Sequence, residues 1–106
     1  MGYCMVLTTC PNGKAAEELA RGLVQEKLAA CVQVEPITSV YTWEGKVEKQ
    51  GEVRLVIKTR NTLYSKIEAF IQKHHGYEVP QILQIPIQDG LVNYLNWIDE
   101  NTESKA

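Results

Sequence analysis

A single long hairpin constrains the fold of this chain more than any other feature of its sequence. Apolar and polar residues alternate at the two-residue period of a strand around Val32, and again over residues 53–59. Between these runs lies the pair Glu44-Gly45, which is typical of a two-residue turn because glycine adopts positive φ freely. Two arms of this reach would extend beyond a core built from 106 residues. We therefore expect the tip of the hairpin to contact another molecule.

Two residues break the regular pattern of the arms. Pro36 interrupts the first arm, and a proline inside a strand predicts a sheet edge or a bulge because it has no N–H to donate. In the second arm, Val56 is an apolar residue on a face that otherwise carries polar side chains such as Lys58 and Arg60. This face is either a solvated surface or, through its cations, an anion-binding wall.

Segments on either side of the hairpin have the spacing of amphipathic helices. The first begins at the capping residue Asn12; the second begins at Asn61 or Thr62 and ends at Gly76, expected in the left-handed conformation. Their stripes recur every three or four residues at Ala16, Leu19, Ala20, Leu23, Val24 and Leu28, and at Leu63, Ile67, Phe70, Ile71 and His74. Gly22 costs the first helix about 1 kcal/mol relative to alanine, which predicts close packing there.

The remaining segments complete a recognisable order of elements. A first strand ends near Thr9. A last strand, which Pro80 and Pro86 restrict to few ladder partners or to an edge, carries Leu83, Ile85 and Ile87 on one face. A short helix follows, capped by Asp89, with Leu91, Leu95 and Ile98 facing inward. The order βαββαβ predicts an α+β, ferredoxin-like antiparallel sheet with both main helices on one face and the other face open to a subunit partner. We expect one domain over residues 1–106, with 99–106 as a frayed tail.

Composition and motifs exclude several classes of function. The formal net charge of −2 gives no basic footprint for nucleic acid, and the apolar runs are too short to span a membrane. The N-terminus has no basic, apolar leader, so we expect a cytoplasmic protein. Three cysteines without Cys-x-x-Cys spacing predict small buried hydrophobic residues and no disulfide framework. No phosphate loop, nucleophile elbow or zinc-protease motif is present, so we expect no enzyme.

The stretch "HHGYEVPQI", residues 74–82, is the candidate metal site. His74 lies eleven residues after Leu63, which returns it to within about 20° of the core-facing stripe, whereas His75 points about 100° away. The pair is therefore no chelate by itself. One reading is a packed, hydrogen-bonded His74. The other is a metal site completed by Cys10, Cys31, Glu78 or another chain, and such nitrogen, sulfur and oxygen ligands suit copper or zinc.

The same corner also suits a ligand cleft. Tyr77 and Glu78 follow the end of a helix, and Lys58 could face them from the polar side of the hairpin as a wall for an anion. Tyr41 and Trp43 supply large amphipathic rings near the hairpin tip. Such rings anchor subunit contacts as well as ligands, and we favour the subunit contact.

Five segments together resemble the divalent-cation-tolerance family, CutA, over residues 3–99: "EKLAACV", "ITSVYTWEGKVE", "EVRLVIKTR", "HHGYEVPQI" and "YLNWI". The resemblance implies a ferredoxin-like fold in a tight homotrimer, similar to the PII signalling proteins, and tolerance to divalent metals, with copper most often named. It implies no enzymatic reaction. The family-typical positions are Cys31, Tyr41, Trp43, Glu44, Gly45, Lys58, His74, Tyr77, Glu78, Pro80 and Trp97.

Two departures from the family pattern lie in the corner: Gly76 where relatives commonly have proline, and Gln81 where they commonly have glutamate. An amide is a poor ligand for a soft divalent metal, so Gln81 predicts weaker metal affinity. The first hypothesis is a homotrimer that binds Cu²⁺, or less well Zn²⁺, with ligands drawn from His74, His75, Glu78 and Cys31. The alternative is a PII-like sensor or scaffold, with Lys58, Tyr77, Tyr41 and Trp43 lining intersubunit clefts for a small anionic metabolite. In either case Trp43, Val56 and Trp97 are the predicted trimer contacts.

Overall fold

A computed structural model describes residues 2–103 of the chain. Its elements, in chain order, are β1 (Tyr3–Cys10), α1 (Gly13–Gln25), β2 (Cys31–Trp43), β3 (Lys46–Arg60), a 3-10 turn (Asn61–Leu63), α2 (Tyr64–His74), β4 (Leu83–Ile87) and α3 (Val92–Glu100). The four strands form one sheet in the order β2-β3-β1-β4, and every neighbouring pair is antiparallel. The predicted α+β class and ferredoxin-like order are confirmed.

The hairpin of β2 and β3 is the longest feature of the molecule. Its register runs unbroken from Cys31 opposite Lys58 to Trp43 opposite Lys46, and the described chain measures 45 × 25 × 20 Å. The two turn residues, Glu44 and Gly45, have φ of 50° and 79°, the positive values that a tight hairpin turn requires. Because β2 is an edge strand, Pro36 has no second neighbour to pair with.

The hydrophobic core lies between the sheet and one layer formed by α1 and α2. Its fully buried side chains include Cys4, Val6, Leu23, Leu55, Ile57, Leu63, Ile67 and Ile71. Asn12 caps α1 as predicted, since its Oδ1 accepts a hydrogen bond of 2.9 Å from the Ala15 N–H. The close packing predicted at Gly22 is also present, because a Cβ placed there would lie 2.8 Å from Phe70 Cζ.

Several element ends differ from the sequence predictions. Helix α2 begins only at Tyr64, after the 3-10 turn, with no side-chain cap among the described residues. Gly76 does not adopt positive φ; α2 ends because His75 is already extended, with φ −92° and ψ 143°. Asp89 accepts a hydrogen bond from the Gly90 N–H and does not cap α3, which follows Leu91, itself 74% exposed.

The segment after residue 98 was expected to fray, and this is wrong for residues 99–103. Tyr3 Oη donates a 2.6 Å hydrogen bond to Asp99, and Arg60 Nε donates one of 2.9 Å to Thr102 Oγ1. Lys66 also pairs with Glu103. These contacts hold α3 against the second face of the sheet, at one end only; residues 104–106 lie outside the described part of the chain.

Candidate functional site

A groove of about 830 Å³ opens between the hairpin and the segment that joins α2 to β4. We call it the hairpin groove. Its recognition surface consists of Tyr41, Trp43 and Glu52 from the hairpin, and Tyr77, Glu78 and Gln81 from the joining segment. The volume is within the range of small-molecule sites, roughly 300–1,000 Å³. The predicted cleft residues Tyr41, Trp43 and Tyr77 therefore share one concavity.

Tyr77 ties the joining segment to the hairpin. Its hydroxyl donates a 2.9 Å hydrogen bond to Glu52 Oε2, and its backbone N–H donates one of 3.1 Å to His75 Nδ1. Burial and the hydrogen bond to the Glu52 carboxylate raise the pKa of Tyr77 to about 12. The phenol is therefore a permanent donor at neutral pH, and its hydrogen bond fixes one oxygen of Glu52.

The hairpin contributes two aromatic rings to the groove. Tyr41 Oη donates a 2.5 Å hydrogen bond to Gln50 Oε1 across the hairpin, which fixes the direction of the ring. Trp43 is 57% exposed near the turn, and in the described residues its indole N–H has no hydrogen-bond partner. An exposed indole on a concave surface is a contact point for a ligand or for a subunit.

The two histidines exchange the places that helical geometry predicted for them. His75 is half-buried: Nδ1 accepts from the Tyr77 N–H, so the ring proton lies on Nε2, which donates 2.5 Å to the Thr9 carbonyl. His74 is exposed; its Nδ1 donates 2.9 Å to the Phe70 carbonyl and its ring packs on that of Phe70, with centroids 4.2 Å apart. The extended backbone at residue 75 turns the His75 side chain away from the direction that a continued helix would give it. Only His74 has a ring nitrogen, Nε2, available to a metal.

The cysteines do not join this corner. Across the sheet, Cys31 is opposite Lys58, and Lys58 is opposite Met5 of β1. His75 contacts Thr9, which lies four residues, or about 13 Å, further along β1. Cys31 is therefore far from His75. Burial raises the pKa of the Cys10 thiol and of the Cys4 thiol, which disfavours the thiolate that a metal needs. Over residues 2–103, no three His, Cys, Asp or Glu side chains group to hold a metal ion. The candidates His74, His75, Glu78 and Cys31 therefore form no complete site within one chain.

Lys58 lies outside the hairpin groove. Its Nζ is 5.6 Å from the centroid of the Tyr94 ring, under α3 at the opposite end of the sheet. The charged residues that line the groove are Glu52 and Glu78, both acidic. An anion-binding wall opposite Glu78 is therefore not formed within the chain. The hypothesis of a cleft for an anionic metabolite relied on Lys58 as its cation, and Lys58 does not line this groove.

The pattern of the sequence did not identify Glu52 as a residue of the hairpin groove. Alternation places Glu52 and Lys58 on the same face of β3, but six residues separate them by about 20 Å. The sequence does not show which end of this face the joining segment reaches. The only available signal was the length of the hairpin, which puts the two ends of its face in different environments.

The second face of the sheet carries the predicted subunit contacts. Val56 is half-buried and lies opposite Leu7 of β1, between the hairpin groove and α3. Trp97 is 39% exposed on α3 and stacks on Tyr94, with ring centroids 5.6 Å apart. Trp43 lies on the same face at the far tip of the hairpin, and Arg54 and Glu52 of β3 separate it from Val56. No helix among residues 2–103 is long and apolar enough to cross a membrane.

These features define a small ferredoxin-like protein with a projecting hairpin and a ligand-sized groove beside it. The family model described as CutA1 divalent ion tolerance protein matches residues 4–101, and the chain belongs to this family. The resemblance deduced from the sequence motifs is thereby confirmed. The family description names tolerance to divalent ions and no reaction.

Individual relatives agree with this assignment. Protein CutA of Mus musculus is 44% identical over 97 residues, which are 91% of this chain but 55% of the relative, so the chain spans about half of that protein's length. The divalent-cation tolerance protein CutA of Archaeoglobus fulgidus is 40% identical over 98 residues, covering 92% of this chain and 96% of the relative. The crystal structure of CutA1 from Oryza sativa superposes with a TM-score of 0.96 at 40% identity, covering 99% of this chain and 97% of that one.

Proposed function

We propose that this chain forms a cytoplasmic homotrimer without enzymatic activity that binds divalent metal ions as part of metal tolerance, with copper bound most tightly and zinc less well. Its membership of a divalent ion tolerance family supports the metal function. The order of metals follows the general preference of nitrogen-containing sites for Cu²⁺ over Zn²⁺.

The geometry of His74 is the observation that supports metal binding in this proposal. A ring whose Nδ1 donates to a backbone carbonyl is held in one orientation with its Nε2 free, which is the usual arrangement of a metal-binding histidine. His74 also lies at the exposed end of α2. Because no complete set of ligands forms within residues 2–103, the remaining ligands come from another subunit.

Isothermal titration with Cu²⁺ tests the metal site. We expect His74→Ala to lower the affinity at least about tenfold, since it removes the free imidazole nitrogen, equivalent to about 1.4 kcal/mol. His75→Ala is the matched control, because both of its ring nitrogens are already hydrogen-bonded. Equal affinity in the wild type and the His74→Ala variant would remove the proposed ligand.

A further inference from the structure

The hairpin groove has the wrong charge for an anion and a poor ligand set for a metal. Its acidic side chains are Glu52 and Glu78, and one oxygen of Glu52 already accepts from Tyr77. Gln81 contributes an amide, so the groove gains no third carboxylate. Hard divalent cations take six or more oxygen ligands, or octahedral water, and the aromatic walls supply none.

No cation of the described chain neutralises these carboxylates. Glu78 is exposed and takes part in no hydrogen bond or ion pair within residues 2–103. The nearest cation on the same face of β3 is Arg54, which is committed to Glu35 through Nη2 at 2.6 Å and Nε at 2.9 Å. The groove therefore keeps a net negative charge.

Aromatic rings form the walls around this charge. Tyr41, Trp43 and Tyr77 all line the groove, and in the described residues the one protein cation placed over a ring is Lys58, on Tyr94 at the other end of the sheet. A cation within about 6 Å of an aromatic face is attracted by the ring quadrupole, most strongly by tryptophan. Carboxylates beside aromatic side chains are the chemistry that recognises an organic ammonium ion.

We infer that the hairpin groove binds a small organic cation, a protonated amine with an apolar body, whose charge lies between Glu52 and Glu78 and whose body packs on Trp43 and Tyr41. Gln81 provides an acceptor for an N–H group left free by the carboxylates. This site is separate from the metal site proposed at His74, which does not line the groove.

Three matched probes test the inference: 2-phenylethylammonium, its neutral isostere 2-phenylethanol and the anion 3-phenylpropanoate. The chain has two tryptophans, so a Trp97→Phe background leaves Trp43 as the single indole and makes its fluorescence a local reporter. Sedimentation checks that this background keeps the wild-type assembly, and EDTA in every sample excludes metal-mediated binding. We expect the ammonium to bind at least about tenfold more tightly than the alcohol, with the anion weakest.

Charge-removing variants locate the binding. Glu52→Gln keeps an oxygen for the Tyr77 hydroxyl, and Glu78→Gln leaves the shape of the groove unchanged; together they should abolish the preference for ammonium over alcohol. Glu18→Gln, at an exposed position on α1, is the control and should change nothing. Added salt should weaken ammonium binding and leave alcohol binding unchanged.

Several results would overturn the inference. These are equal binding of the ammonium and the alcohol, tight binding of the anion, or full ammonium preference in the double variant. Binding of none of the probes would also overturn it. Copper titration of the same samples without EDTA reports on the metal site separately, so failure of one proposal is distinguishable from failure of the other.

Discussion

Tyr77 is the residue on which the shape of the hairpin groove depends, because it joins two segments that no regular element connects. Its phenol reaches Glu52 on β3, while its backbone N–H is bound to His75. The ring of His75 in turn packs on that of Tyr77, with centroids 4.8 Å apart. Burial and Glu52 favour the protonated phenol, which makes the local structure sensitive to alkaline pH.

Replacing Tyr77 with phenylalanine should change how stability depends on pH. The pKa is about 12 in the folded chain against 10.0 for a free tyrosine, so the interaction stabilises fully below pH 10 and is lost as pH rises through 12. Tyr77→Phe should lose about 1 kcal/mol of stability at neutral pH, the value of one hydrogen bond. Above pH 10 its stability should fall less steeply than that of the wild type. Urea unfolding across this range measures both effects.

Tyr41→Phe is the control for this prediction, because the Tyr41 hydroxyl donates to the neutral amide of Gln50. Hydrogen bonds to carboxylates, and burial to a lesser degree, also raise the pKa of Tyr3 and of Tyr64. The Tyr77→Phe and Tyr41→Phe variants therefore both keep some alkaline loss of stability. Parallel curves for the wild type and Tyr77→Phe above pH 10 would contradict the role assigned to Tyr77.

At the scale of elements, sequence periodicity predicted the features that depend on burial in the core. It missed the features that depend on single contacts. The stripes of α1 and α2, the alternation of β3 and the turn at Glu44-Gly45 follow from burial and local geometry, and the structure contains them. The ends of α2 and α3 depend on single hydrogen bonds and backbone angles that leave no periodic trace. The groove was missed in part for the same reason: alternation identifies the face of a strand and not the loop that covers it.

The contact between α1 and α2 at Gly22 gives a prediction at this scale. Replacing a glycine inside a helix with alanine normally stabilises the helix by about 1 kcal/mol. Here the new Cβ would lie 2.8 Å from Phe70 Cζ, so Gly22→Ala should lose about 1–3 kcal/mol as the helices move apart. Phe70→Leu in the same chain should recover part of this loss. Thermal and urea unfolding provide the measurement.

Gly13→Ala is the matched control at the start of the same helix, where a Cβ would meet nothing within 4 Å. It should leave the free energy of unfolding unchanged or slightly improved. If Gly22→Ala proved as stable as Gly13→Ala, the close approach of the two helices would not limit the packing.

At the scale of the whole molecule, the second face of the sheet is divided into three parts. The α3 helix covers one end and the hairpin groove lies at the other. Between them lies a half-buried apolar strip, in which Val56 is opposite Leu7 and Ile85 is opposite Met5. A chain of 106 residues buries only about two-thirds of its surface, so a strip of this kind favours assembly through this face.

A charge in the middle of the strip should therefore break the proposed trimer. We expect the wild type to sediment with about three times the 12.0 kDa mass of one chain. The Val56→Glu variant should sediment with about the mass of a single chain, because burying an unpaired carboxylate in the interface is costly. Val24→Glu is the control: Val24 is 43% exposed on α1, on the opposite side of the sheet, and should leave the mass unchanged. If copper ligands come from two subunits, Val56→Glu should also lose copper affinity while His74 is intact. A monomeric wild type would contradict both the trimer and the shared metal site.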